Sequence, residues 1–295
     1  MSLTLRAYAK INLTLEALAK RDDGYHEIAT VLQTISLADT LSFGLGDALE
    51  LRCSDPSLQS ADNLVLKAAK LLGKATGCSR GASIQLTKGI PVAAGLGSGA
   101  TDAAATLAGL NRLWGTNLPP QGLLELAADL GSDVCPLLCG GIVLAKGRGE
   151  QVACLPPMPE LWMVLLRPPI NPIPNKTAQL YSKLTLSHFT AGQFAERLVD
   201  HLHEGSSIST DLLHNVFEQV AFDFFPGLSE YRSVFVEAGA ETIHLAGAGP
   251  CLFTLVSDEA GGKAVLSNLE AAGQEAYLVR TVDAEPLASV RDRQC

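Results

Sequence analysis

Basic residues are scarce in this sequence: its 295 residues hold 22 Lys+Arg against 31 Asp+Glu, a formal charge of −9, with only 18% of residues charged. No basic field is available to hold a polyphosphate backbone, so nucleic-acid binding is a poor first reading. A small anion remains within reach, because backbone amides and one or two placed lysines bind phosphate even inside an acidic protein. No apolar run approaches the roughly 18 to 20 residues that a membrane-crossing helix needs. The opening Met-Ser-Leu-Thr-Leu-Arg-Ala also lacks a positive segment followed by an unbroken apolar core, and the sequence reads as cytoplasmic. The seven cysteines, Cys53, Cys78, Cys135, Cys139, Cys154, Cys251 and Cys295, are odd in number and contain no C-x-x-C pair. Neither a disulfide framework nor a zinc ribbon is indicated. Cys135 and Cys139 come nearest, but no histidine lies close to them in sequence, and His188, His201, His203, His214 and His244 show no metal spacing. Also missing is any G-x-x-x-x-G-K-[ST] segment, and no acidic residue follows the glycine-rich stretch at the Rossmann offset.

What is present is an ordinary globular composition, 47% hydrophobic with mean hydropathy +0.21, long enough for two domains. Partial alternation from Leu3 to Ala17 predicts strands with a break near Lys10 to Asn12, and further strands are expected near 41–53 and 82–88. Asp62 reads as the N-cap of a helix with Leu64, Ala68, Leu71 and Leu72 on one face. A second helix should open within the glycines at 95–99 and stop at Gly115, and a third should run from Pro120 to Leu130. Six of the 15 prolines fall between Pro156 and Pro172, which predicts a semi-rigid crossing there and a boundary between units 1–155 and 156–295. Beyond it the pattern gives helices near 175–184, 190–204, 212–223, 229–239 and 259–272, with strands near 161–166, 242–246, 251–256 and 275–281. Strands and helices that do not alternate strictly argue for an α+β architecture.

The strongest chemical signal is Lys88-Gly-Ile followed by Pro91-Val92-Ala93-Ala94-Gly95-Leu96-Gly97-Ser98-Gly99-Ala100-Thr101-Asp102, which runs straight into an alanine-rich helical pattern. Glycines let successive N–H groups converge, and a helix N-terminus adds about half a positive charge, so the segment predicts an anion cradle. A second glycine turn, Gly247-Ala248-Gly249-Pro250, joins two short apolar strands and is either a plain hairpin or a wall of the same cleft.

The Pro91–Thr101 segment resembles the phosphate loop of the GHMP kinases. Other marks are Ala9-Lys10-Ile11-Asn12-Leu13, Asp23-Gly24-Tyr25-His26-Glu27-Ile28, the run from Val31 to Asp39, Leu130-Gly131-Ser132-Asp133-Val134, Gly147-Arg148-Gly149-Glu150 and the Gly247 turn. Together these resemble the branch of the family acting on a cytidine-diphosphate-linked methylerythritol in non-mevalonate isoprenoid synthesis. The resemblance implies an N-terminal ribosomal-protein-S5-like domain, a C-terminal ferredoxin-like α/β sandwich and an active site between them. It further implies ATP and Mg²⁺, transfer of the γ-phosphoryl group to a tertiary 2-hydroxyl, and a small-molecule substrate with no nucleic acid, membrane or obligatory protein partner. By position, Asp133 is the implied acid-base residue with Lys10 beside it, and Asn12, Tyr25, His26 and Thr177 are implied substrate contacts. Residues 91–101 would hold the phosphates, Asn63 and Leu64 would line the adenine pocket, Thr101 would reach the metal, and Tyr181 belongs to the same helical motif as Thr177.

The chemistry is consistent with those roles. A tertiary alcohol is a weak nucleophile, so a carboxylate should take its proton while an ammonium stabilises the forming alkoxide. The chain departs from the common family pattern in carrying Ser98 for a glycine, Ala100-Thr101 for two serines, and Cys135 before Pro136. These departures predict that Ser98 adopts glycine-like backbone geometry, that Thr101 serves as a single hydroxyl, and that the carboxylate of Asp133 is displaced slightly. The other readings are a GHMP-type kinase for a different alcohol, an ATP sensor without transfer, and a role for Cys135 and Cys139 together.

Overall fold

The computed structural model describes residues 2–206, 208–284 and 287; Cys295 lies outside them. Its first sheet grows from two long antiparallel strands, β1 (Ser2–Lys20) and β2 (His26–Gly46), joined by a turn at Gly24. The break predicted at Lys10 to Asn12 is absent. The strand runs through, and what changes is register, which slips between Tyr8 and Lys10 and again between Asn12 and Thr14. Such bulges bend a strand and re-aim its side chains without ending it. The start of β2 at His26 escapes sequence reading because its first half is buried on both faces and shows no alternation.

The chain continues through β3 (Leu49–Cys53), α1 (Leu64–Thr76), β4 (Gly81–Thr87), α2 (Ser98–Trp114), α3 (Pro120–Leu130), α4 (Val134–Cys139), β5 (Ile142–Gly147) and β6 (Gln151–Cys154). Strand β4 pairs with the second half of β2, and β5 pairs with the first half. The N-cap of α1 is Asn63 rather than Asp62: the Asn63 side chain accepts from the Val65 amide at 2.9 Å, while Asp62 pairs with Lys67. The buried face is therefore Val65, Ala68, Ala69 and Leu72, with Leu71 only partly covered. Helix α2 lies between the sheet and the other helices, with Ala103, Ala104, Ala105 and Ala108 all buried. At Gly109 a Cβ would come within 2.6 Å of the Phe43 ring, so only glycine permits this approach of helix to strand.

The second half holds β7 (Trp162–Arg167), α5 (Lys176–Lys183), α6 (Gln193–His203), β8 (His214–Asn215), α7 (Glu218–Phe224) and α8 (Leu228–Glu237). It ends with β9 (His244–Leu245), β10 (Leu252–Val256), α9 (Glu259–Ala271) and β11 (Glu275–Arg280). Its antiparallel sheet has the order β11-β7-β10-β9 with α9 against it, and the whole is the expected α+β arrangement. The helix predicted over 212–223 is shortened to α7. Residues 214–215 instead pair parallel with Thr14 and Leu15 of β1, and Asn215 bonds Leu245 O, Gly247 O and the Phe217 amide, which competes with helix formation. A core of Ile11, Leu13, Val31, Ile35, Leu96, Met163, Leu165 and Phe253 joins the two sheets. Among the described residues no helix is long and apolar enough to cross a membrane.

Candidate active site

The segment between β4 and α2 turns through left-handed angles at Ala93 (φ +57°), Gly95 (+91°) and Gly97 (+76°). No side chain caps α2, and its first intrahelical amide is that of Thr101, bonded to Gly97 O at 2.9 Å. The amides of Ser98, Gly99 and Ala100 are thereby left to a ligand at the N-terminus of a 17-residue helix. The loop is packed against the second glycine turn. A Cβ on Gly95 would lie 1.9 Å from Ala246 O, and one on Gly247 would lie 3.0 Å from Lys10 Nζ and 3.1 Å from Asn12 Oδ1. The Gly247–Pro250 turn is thus both a hairpin between β9 and β10 and a wall of the site. Leu64, next to the α1 cap Asn63, sits 3.4 Å from where a Cβ of Gly99 would be, so the starts of α1 and α2 adjoin.

Ser98 does not need glycine's freedom. The left-handed residue is Gly97 before it, and Ser98 is the first helical residue, its hydroxyl 2.7 Å from Lys88 Nζ. Lys88 also bonds Asp102 at 2.7 Å and, very closely, Asp39, whose other oxygen accepts the Gly89 and Ile90 amides. This buried clasp anchors both ends of the loop. Burial pushes the Asp102 carboxyl up to about 8 against the pull of Lys88.

Between the register slips at Tyr8/Lys10 and Asn12/Thr14, β1 presents Lys10 and Asn12 on one face. Lys10, 4% exposed, donates to Asn12 Oδ1 at 2.8 Å, and Asn12 in turn donates to Thr30 Oγ1 at 2.8 Å, which fixes the ammonium. Lys10 Nζ lies 3.3 Å from Asp133 Oδ2, and the Asp133 side chain remains 45% exposed. Asp133 stands just before α4 and makes no capping bond with its carboxylate. Pro136, third in α4, removes only an amide that the first turn would leave unpaired, so the proline shift leaves the helix intact. Cys135 is buried and donates to Leu124 O, its thiol pushed up to about 12 by burial first and the charge of Glu150 second.

The other end of the site is aromatic. His26, 9% exposed, stacks on Tyr181 with ring centroids 4.7 Å apart, and Phe189 meets it edge-on at 5.8 Å. Burial, with a smaller contribution from Lys20, lowers the His26 pKa and so favours the neutral ring. Tyr181 is pushed above its usual range by burial and then by the charge of Asp133, which ties the aromatic group to the acidic one. Tyr25 is 55% exposed with the Arg148 guanidinium over its ring. Thr177 is exposed at the second position of α5, one turn before Tyr181.

Lys176 has no sequence signal. It donates to Ala93 O at 2.8 Å and, at very short range, to Gly249 O, bridging the two glycine turns. Burial, and then the charge of Lys10, lowers its pKa to about 8. Among the described residues no three His, Cys, Asp or Glu gather as a metal cage.

Comparison with known proteins matches the GHMP kinase N-terminal domain at residues 63–141 and the GHMP kinase C-terminal domain at residues 193–275. A 4-diphosphocytidyl-2-C-methyl-D-erythritol kinase of Dehalococcoides mccartyi is 44% identical over 280 residues, covering 95% of this chain and 98% of that relative. One of the same name from Pelotomaculum thermopropionicum is 40% identical over 288 residues, covering 95% and 98%. A crystal structure of 4-(cytidine 5'-diphospho)-2C-methyl-D-erythritol kinase superposes with TM-score 0.80 at 30% identity, covering 96% of this chain and all of that one.

Proposed function

The chain belongs to the GHMP kinases, and from that premise we propose that it transfers the γ-phosphoryl group of ATP to the 2-hydroxyl of 4-diphosphocytidyl-2-C-methyl-D-erythritol, a step of isoprenoid synthesis. The observation that carries this reading is the Lys10–Asp133 pair, 3.3 Å apart, between the glycine loop and the Tyr25–His26 group. Asp133 takes the hydroxyl proton on its exposed carboxylate while the buried Lys10 ammonium, held by Asn12, stabilises the forming alkoxide. The Pro91–Thr101 segment holds the phosphates through the free amides of Ser98, Gly99 and Ala100, Asn63 and Leu64 border the adenine, and Tyr25 and His26 receive the cytosine. The Thr101 hydroxyl in the first turn of α2 would help hold Mg²⁺, which would supply charge neutralisation for the transferring phosphates. Because the phosphoryl transition state is loose, positioning and charge stabilisation carry most of the rate.

The test is ADP release with ATP and Mg²⁺, comparing the cytidyl substrate with mevalonate, homoserine and galactose. Turnover confined to the cytidyl compound, falling about 10²- to 10⁴-fold in Asp133→Ala with ATP binding retained, is expected. Turnover on another alcohol would leave the family and discard the substrate. ATP binding without turnover on any of them would favour a sensor.

A further inference from the structure

The turn between β5 and β6 carries Arg148, whose guanidinium lies 5.1 Å from the centroid of the Tyr25 ring. That turn is rigid. The Glu150 carboxylate accepts the Arg148 amide at 2.6 Å, and Gly149 donates to Lys146 O at 3.0 Å. Gly149 (φ +117°) lies so close to the Asp133 turn that a Cβ would meet Ser132 O at 2.9 Å. One short segment therefore touches both ends of the site, its backbone beside Asp133 and its side chain on Tyr25.

The carboxylates around Arg148 are engaged elsewhere. Asp23 accepts from Arg21 at 3.1 Å and from the Tyr25 amide at 3.0 Å, so it feels the charge of Arg148 without bonding to it. Glu27 pairs with Arg21, and Asp133 pairs with Lys10. Among the described residues no ion pair joins Arg148, which leaves a half-buried guanidinium at the mouth of the site with its fork uncommitted. Lys88 is locked in its clasp and Lys176 bonds the two glycine turns, both on the ATP side, while Arg21 is paired with Asp23 and Glu27 and Lys10 with Asp133.

We propose that Arg148 binds the diphosphate of the cytidyl substrate, gripping it between the base at Tyr25 and the reacting hydroxyl at Asp133. This rests on the function proposed above. A guanidinium fork suits two phosphate oxygens, and stacking on a tyrosine face orients it without consuming its hydrogen-bond donors. Arg148 is thus a specificity residue that favours diphosphate-bearing alcohols over bare ones.

Titration calorimetry of CDP and of cytidine, with a non-hydrolysable ATP analogue filling the other nucleotide site, tests this in the wild type, Arg148→Gln and Arg148→Lys. The wild type should bind CDP roughly 10- to 100-fold more tightly than cytidine. Arg148→Gln should reduce that ratio to within about threefold while cytidine affinity holds, and Arg148→Lys should fall between. A Gln variant that weakens both ligands equally would make Arg148 a prop for Tyr25 and overturn the proposal, as would an undiminished preference for CDP. A wild type that binds neither ligand would overturn the substrate reading itself, a result distinct because it precedes any substitution.

Discussion

The imidazole of His26 lies on the phenol ring of Tyr181, centroids 4.7 Å apart and planes within 16°. Through this contact the β1–β2 turn is joined to α5, more than 150 residues later in the sequence. Phe217 closes the far side of Tyr181 edge-on at 4.8 Å.

Truncating Tyr181 should therefore disturb the cytidine end and the core at once. Tyr181→Ala is expected to cost about 3 to 5 kcal/mol of stability in denaturant unfolding and to raise KM for the cytidyl substrate by roughly tenfold or more. Tyr181→Phe keeps the stack and should stay within about threefold of wild type in both constants.

Gly95 supplies a test of loop position. Gly95→Ala puts a Cβ 1.9 Å from Ala246 O, and because the obstacle is backbone the loop must move. A displacement near 1 Å costs on the order of 10²-fold, which should appear in kcat/KM for ATP. Gly77→Ala, also left-handed at +66° but in open space, should lose only about 1 to 2 kcal/mol of stability with unchanged ATP kinetics.

The Lys88 clasp makes a prediction about pH. Two carboxylates face one ammonium, and burial, with the neighbouring Asp39 adding to it, keeps the proton on Asp102 to about 8 against 3.8 in the free residue. The native state then holds a proton that the unfolded chain has released, so the contribution of Asp102 is full below 3.8 and is lost as pH rises to about 8. Stability should fall across that window by at most on the order of 1 kcal/mol per pH unit from this group. Thermal melts from pH 5 to 8 should show a shallower decline in Asp102→Asn, which has no proton to release.

Lys176→Met retains the length of the side chain and removes both of its bonds. The carbonyls of Ala93 and Gly249 then lose their shared donor, and the two glycine turns lose a tie worth about 1 to 3 kcal/mol. KM for ATP should rise roughly tenfold in initial-rate assays, with KM for the cytidyl substrate changed far less.

Sequence reading located the elements that glycine and proline punctuate. Helix α2 opens after Gly97 and stops at Gly115, and α3 spans Pro120 to Leu130, because those residues act locally. It missed the start of β2, whose double-sided burial is a property of the packed sheet. It read a break at Lys10 where bulges aim Lys10 and Asn12 together, since register is fixed by the partner strand. The pairing of Lys10 with Asp133 was legible only through family resemblance. The clasp of residues 39, 88, 98 and 102 and the bridge made by Lys176 gather side chains from separate segments, and no local pattern announces them.

The parallel pairing of His214–Asn215 with β1 bears on how the chain could be cut. That strand brings with it the Val216 amide on Leu15 O, and nearby the fully buried Glu16 carboxylate is satisfied by Thr190 and the Ala195 amide. A fragment ending at residue 155 would hold a bare sheet edge beside an unpaired internal carboxylate. The polypeptide is thus sewn together on the outer side of β1, and a split form would regain activity only by reassembly with the 156–295 fragment, not as two self-sufficient pieces.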